Sequence, residues 1–340
     1  MTRRYWLGGW ALLVLTVCVA LALGLVLGGG QRKAEPSVQR PRGTQGTVRP
    51  PRPTAAEASL LSWRLAAPLS REVVVPAEGS RGLVILGGLT SGAASTDGVD
   101  RLDTRDGGLA PLQPLAQATH DAAGAAIGRR ILVVGGGTVV PTGTTQIESA
   151  AGTVVGEAPA QARADASAVR VGNTVYVVGG YDGAAMDSQV ISTADGRSYR
   201  TVGVLPVPVR YAALAASGSR IYVFGGIRAN TQPSNAVQMI ETTTGKARVV
   251  GRLPVPLAGA AAGMLDGTVY LAGGRTVSGP TRAIYAFESA HTRFLRVGTL
   301  PVAVANAGSS VREGRLWIVG GETDDGRPTA AVQVVVPHRK

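Results

Sequence analysis

The chain has 340 residues, 45% apolar and 16% charged, with a net charge of +12 and one cysteine. Such a chain can bury a large core, while the lone Cys18 excludes a disulfide framework and, for everything after it, thiol catalysis. The charge is diffuse: residues 1–30 carry +2 (Arg3 and Arg4), residues 31–58 carry +4, and the other +6 is spread over the remainder, where 4% aromatic content offers no stacking platform for nucleic acid.

The first element is LGGWALLVLTVCVALALGLVL at residues 7–27, which holds no charge over 21 positions. As a helix it would measure about 31 Å and match the hydrocarbon core of a bilayer. Residues 7–29 are therefore expected to form a transmembrane signal anchor behind a short tail, residues 1–6. A cleaved signal peptide is the alternative, although the run exceeds the usual apolar length of about 7–15 residues. Arg3 and Arg4 on one side and Arg32, Lys33, Arg40 and Arg42 on the other leave orientation undecided by charge. An anchor followed by a long tether implies a single-pass protein of the cell membrane with its bulk outside the cytoplasm. TRRYWL at residues 2–7 has the look of a twin-arginine signal, and Cys18 that of a lipoprotein cysteine. The first begins at the initiator and the second follows Val17 within a continuing apolar run, so both read as parts of the anchor.

Residues 30–58 are rich in Pro and Arg and nearly lack large apolar side chains, which is the composition of a disordered linker. At about 3.1 Å per residue it would reach at most about 90 Å. Its expected role is a spacer; electrostatic attachment to anionic headgroups or cell-wall polymers is the other reading.

Residues 59–340 repeat. Apolar runs ending in a glycine pair stand at LVILGG (83–88), ILVVGG (131–136), VYVVGG (175–180), IYVFGG (221–226), VYLAGG (269–274) and LWIVGG (316–321). Successive pairs are 48, 44, 46, 48 and 47 residues apart, a period that marks a propeller. Before each run lies a tight-turn pair such as Gly172-Asn173, Gly218-Ser219 or Asp266-Gly267. Before that comes a stretch of small residues, AAGAAI (122–127) or AALAAS (212–217), suited to an innermost strand where six sheets converge. Third strands follow at SQVIST (188–193) and AVQMIET (236–242), and fourth strands at ARVVGRLP (247–254) and FLRVGTLP (294–301). Each unit is thus a four-stranded antiparallel sheet.

The glycine pair, the hairpin turn and the LPxP element (LPVPVR, 205–210; LPVPL, 253–257) in fixed order resemble kelch repeats, over about five sixths of the chain. The resemblance implies an all-β, six-bladed kelch-type propeller. The chain departs from the family where a tryptophan usually stands near the outer strand, since only Trp63 occupies such a place, and the aromatic after the glycines occurs once, as Tyr181. The last unit lacks a fourth strand, and LLSWRLAAP (60–68) looks like an orphan one. Leu60 to Leu65 is expected to complete blade six and remove the open sheet edges.

In such folds ligands meet the face built by the loop leading into each inner strand and the loop after each glycine pair. Aligned on the glycines, the lead-in position holds Arg71, His120, Arg163, Arg210, Ala258 and Ala305 in blades one to six. Four basic groups in neighbouring blades suggest a mouth for an anionic group, because guanidinium forks match carboxylates. In kelch proteins, arginines at this place also tie blade to blade through backbone carbonyls, which is the competing role. The loops after the glycines add Tyr181, Asp182, Arg228, Arg275, Glu322 and Asp324, with Arg228 and Arg275 nearest the mouth.

No catalytic residue, metal or cofactor is expected. Copper radical oxidases share kelch-like blades but need a cysteine–tyrosine cross-link and clustered histidines, whereas His120, His291 and His338 fall in different units. Asp97-Gly98, Asp195-Gly196 and Asp325-Gly326 lack the alternating ligands of a calcium loop and read as turns. The GGG at residues 135–137 is not followed by a phosphate-loop lysine. The remaining enzymatic reading is similarity to bacterial six-bladed kelch mutarotases that act on sialic acid. Glu322 or Asp182 would then serve as acid/base opposite Arg163 or Arg210. The sequence thus describes a membrane-tethered, monomeric propeller displayed outside the cytoplasm that binds or scaffolds a protein or an acidic glycan. A mutarotase and a structural envelope component are the alternatives.

Overall fold

The computed structural model describes residues 55–77, 79, 82–156 and 161–338. The expected anchor at 7–29 and nearly all of the expected linker at 30–58 lie outside them. Among the described residues no helix is long and apolar enough to cross a membrane.

Apart from four two-residue strands, every described strand falls in one of six four-stranded antiparallel sheets. Blade four is representative, with Ala213–Ser217 innermost, then Arg220–Phe224, Ala236–Glu241 and Ala247–Arg252 outermost. Its small inner strand and apolar second strand match the repeat read from sequence. The turns between inner and second strands use the left-handed region as their residue types permit. Both Asp266-Gly267 and Glu313-Gly314 have positive φ at each position, whereas Gly128, Gly172 and Gly218 carry it alone.

The core is divided into six clusters of buried apolar side chains, one at each junction between neighbouring blades. Between blades four and five, for example, Tyr222 and Phe224 each pack edge-on against Phe287, with ring centroids 5.2 Å apart. Gln146, Gln238 and Gln333, all almost fully buried in third strands, hold the segments leading into their blades. The Gln238 amide accepts from the Val207 N–H and donates to the Val207 carbonyl, both at 2.9 Å, which pins the LPxP element.

Ring closure differs in register from the expectation. The outer strand of blade six is Ala56–Leu60, paired antiparallel with Val332–Pro337 from Ala56 opposite Pro337 to Leu60 opposite Gln333. Leu60 to Leu65 is therefore not the closing strand, and Ala56 to Ala58 belong to the blade, not to the linker. The cause is packing: Ala56 and Ala58 are small enough to face blade five closely. The larger Leu61, Trp63 and Leu65 instead fill the junction between blades six and one, where Trp63 stacks on the buried Trp317 at 6.4 Å.

The glycine pairs explain their own repetition. In every blade the first glycine has φ of 60–69° and the second 76–115°. The second glycine's N–H donates to a carbonyl of the next blade's lead-in at 2.8–3.0 Å: Gly88 to Thr119, Gly136 to Arg163, Gly180 to Val209, Gly226 to Leu257, Gly274 to Val304 and Gly321 to Leu69. A Cβ on the first glycine would stand 2.6 Å or less from that same oxygen. Glycine is required for conformation and for space at once. Replacing Gly225 by Ala is expected to cost about 3–5 kcal/mol, because the new methyl strikes the Leu257 carbonyl. Gly218→Ala, where φ is also positive but no atom lies within 4 Å, should cost only about 1–2 kcal/mol. Urea denaturation of the two variants measures the difference, and equal losses would contradict the carbonyl-contact account.

Candidate functional site

A second ring of hydrogen bonds surrounds the central channel. One residue per blade, two places before the inner strand, sits in the left-handed region with φ of 51–59°: Arg71, Asp121, Asp165, Tyr211, Gly259 and Asn306. Each donates its backbone N–H to the carbonyl of its counterpart in the preceding blade, at 2.8–3.1 Å. Arg71 donates to Asn306, and so the circle closes. Asp and Asn tolerate this conformation, Gly prefers it, and Arg71 and Tyr211 are held in it by the ring.

These side chains, with Glu322 and Arg210 beside them, build a charged network at the mouth. Arg71 binds Glu322 at 2.5 Å, Asp121 at 3.0 Å and the Tyr211 hydroxyl at 3.2 Å. Tyr211 donates to Asp121 at 3.0 Å. Arg210 binds Asp165 at 2.9 Å and lies over the Tyr181 ring, 5.2 Å from its centroid. Asn306 donates to Glu322 at 3.0 Å, and Arg275 reaches the same carboxylate at 3.6 Å. Below the ring lies a cavity of about 210 Å³. Outside it, between blades three and four, a groove of about 670 Å³ is lined by Tyr181, Met186, Val207, Pro208, Arg210 and Arg228 among others.

The expected mouth residues divide into three groups. Arg71 is on the ring, but His120 and Arg210 stand one place before it and Arg163 two places before it, so the sequence alignment mixed three registers. Arg163 is the clear correction. Its guanidinium is almost fully buried, donates to the Gly179 and Gln189 carbonyls at 2.9 and 3.0 Å, and pairs with Asp187. It ties a blade together and does not face the mouth. Arg71 and Arg210 do face it, yet each is already paired with a carboxylate, so the four bare cations anticipated for an anion are not there. His120 accepts or donates at Ser95 over 2.8 Å, and burial, then Arg71, lowers its pKa and keeps it neutral at neutral pH.

Among the loop candidates, Tyr181, Arg275 and Glu322 are the first residues after their glycine pairs and bond back to Ala164, Ala258 and Ala305. Asp182 accepts from the Ala184 and Ala185 N–H groups at 2.8 and 2.7 Å, which holds its carboxyl below the ordinary range and makes it a loop cap. Arg228 and Asp324 are exposed on the crown of loops. Asp121, Asp165, Tyr211, Asn306 and Glu72 line the mouth or channel without having been singled out in the sequence.

Two carboxyls are poised near neutrality. Burial pushes Asp121 up to about 7, with the neighbouring Asp165 adding to the effect and Arg71 and Tyr211 opposing it. Burial likewise pushes Glu72 up to about 8, against the N–H of Gly308 that binds its Oε1 at 3.1 Å. Tyr211 is raised by burial first, then by Asp121 and Asp165, and so stays protonated and able to donate.

A closed ring of six sheets locked by glycine pairs, with a polar mouth over a central channel, defines a six-bladed propeller of the repeat type. The chain belongs to the kelch-repeat proteins: the family described as the KLHDC2/KLHL20/DRC7 Kelch-repeats domain matches residues 165–335. Among solved structures it is similar to that of YjhT, with a TM-score of 0.71 and 17% identity over 82% of this chain and 97% of the other. That likeness is one of fold. Comparison with curated proteins yields no match.

The raised carboxyls give the molecule a definite pH response. In the unfolded chain Asp and Glu release their protons near pH 4. The folded chain keeps them on Asp121 and Glu72 to about 7 and 8. Between those limits the folded state binds more protons at these two groups, so the stability they contribute is full near pH 4 and is lost as pH rises to about 8. Denaturant midpoints measured from pH 5 to pH 8.5 should decline, and the decline should flatten in the Asp121→Asn, Glu72→Gln double variant. An unchanged slope would show that these two carboxyls are not the titrating groups.

Proposed function

We propose that the protein is a binding module, tethered to a membrane by residues 7–29 and displayed outside the cytoplasm, that takes an acidic glycan in the groove between blades three and four. The observation that carries this reading is Arg228. Its side chain is exposed at the groove's rim, and among the described residues it has no carboxylate partner. Arg71, Arg210 and Arg275, by contrast, are each compensated. The Tyr181 ring, steadied by Arg210 and by its own hydroxyl bond to Gly183 at 2.6 Å, offers a flat face for a sugar ring, and Arg228 a fork for its carboxylate. Polygalacturonate should bind the purified full-length chain, with dextran as the neutral control. Arg228→Ala should weaken that binding about tenfold or more without lowering the melting temperature. Arg210→Ala is the poorer probe, since it strands Asp165 and should destabilise the fold. Equal binding of dextran, or full retention in Arg228→Ala, would contradict this reading.

A second reading rests on Asp121, whose carboxyl titrates near neutrality beside a protonated Tyr211 and a charged Arg71. In a mutarotase of the bacterial kelch type one group takes the proton of the anomeric hydroxyl while another protonates the departing ring oxygen, and no cofactor is needed. Asp121 suits this role better than Asp182, which caps a loop, or Glu322, which is bound by Arg71, Asn306 and Arg275. Polarimetry of freshly dissolved N-acetylneuraminic acid tests it: faster equilibration that disappears in Asp121→Asn supports the enzyme, and an uncatalysed rate with the intact protein rejects it.

A further inference from the structure

At the end of the channel away from the ring, where the six inner strands turn back, lies a funnel of about 680 Å³. Residues three and five places beyond each ring position build much of its wall. The layer nearer the ring is uncharged, with Val74 and Leu214 its bulkiest members. The layer nearer the opening is Pro76, Ala126, Arg170, Ala216, Met264 and Val311. One blade in six thus places a cation where the others place small or aliphatic side chains.

The fold makes no use of that cation. Arg170 is exposed on the inner strand Ser167–Val171, opposite Val175 of the second strand, and its side chain has no hydrogen-bond or carboxylate partner among the described residues. The funnel's other arginine, Arg312, is occupied in holding the Ala77 carbonyl at 3.1 Å. Among the described residues no acidic side chain lines the funnel. Water satisfies Arg170 at little cost, but a concave wall of one sign also gives an anion a place to stay.

The surroundings select the kind of anion. A single guanidinium presents paired N–H groups that match the two oxygens of a carboxylate, whereas a phosphate dianion calls for more donors than one arginine supplies. Beside it, Leu214, Met264 and Val311 offer aliphatic surface on which an alkyl chain can leave water. The funnel and the cavity under the ring share Ala168, Leu214, Ala262 and Ser309 in their walls, so the uncharged lining continues upward from the cation.

We propose that the funnel is a binding site for a short-chain aliphatic monocarboxylate, its carboxylate on Arg170 and its alkyl chain directed up the channel toward Leu214. No covalent bond changes on binding. The site lies at the opposite end of the channel from the charged mouth, and it does not depend on the glycan reading.

The test uses sodium hexanoate as the probe and n-hexanol as its uncharged counterpart, titrated calorimetrically into the full-length chain in buffered sodium chloride. Saturable binding of hexanoate is expected, with affinity rising about two- to fourfold per methylene from acetate through butyrate to hexanoate. Arg170→Met keeps the aliphatic stem, removes the charge and strands no partner. It should therefore lower the affinity about tenfold or more while leaving the melting temperature unchanged. Arg228→Ala should bind hexanoate as the native chain does, which separates the funnel from the outer groove. Equal binding of n-hexanol, acetate as tight as hexanoate, undiminished affinity in Arg170→Met, loss of binding in Arg228→Ala, or no saturable binding at millimolar hexanoate would each overturn the proposal.

Discussion

One hydrogen bond, repeated six times, carries this architecture: the N–H of a doublet's second glycine to a carbonyl of the following blade. It joins elements that share no strand pairing and fixes the spacing of blades before any side chain is considered. Apolar packing at the six junctions supplies most of the stabilising area, but such packing is tolerant of small shifts. The glycine contact is not, because the carbonyl lies where a Cβ would be. The same constraint sets the angle at which each chain crosses from its second strand into the crown of loops, and hence where the loop residues stand.

The ring at the channel depends on that spacing. Six left-handed residues donate around a closed circle only if all six lead-ins arrive at the same height. Once they do, their side chains are forced together whatever their identity. This explains how two acids, an arginine, a tyrosine and an asparagine come to share a small mouth although successive ring positions are 44–50 residues apart in sequence. It also explains why the arginines there are compensated, since the neighbours that accompany them are Asp121, Asp165 and Glu322.

The doublets, the hairpin turns and the inner runs of alanine were legible in sequence because each is a local requirement repeated at a fixed period. The mouth was less so. Counting fourteen residues back from the first glycine lands on the ring in blades two to six (121 before 135, 165 before 179, 211 before 225, 259 before 273, 306 before 320). Blade one, with its longer inner hairpin, needs sixteen (71 before 87). A tolerance of one residue was enough to select the basic His120 and Arg210 over Asp121 and Tyr211, and so to give the mouth the wrong charge. The better signal was conformational: Asp, Asp, Gly and Asn at a common offset mark a positive φ more surely than arginines mark a ligand. Closure was legible in kind but not in register, because the large apolar LLSWRL run looked more strand-like than AEASL, whose small residues suit a closely packed neighbour.

Closure by Ala56–Leu60 has a consequence in time. Among the described residues the pairing of Ala56 with Pro337 is the longest-range strand contact. During synthesis at roughly 5–20 residues per second, the first strand therefore waits tens of seconds for its partner. Throughout that interval blades one to five can form and stack in order, each on its predecessor, while the ring stays open and the side of blade one that will meet blade six stays bare. The final event is a single docking step that covers two surfaces together, so the last blade to be made is also the one that commits the whole circle.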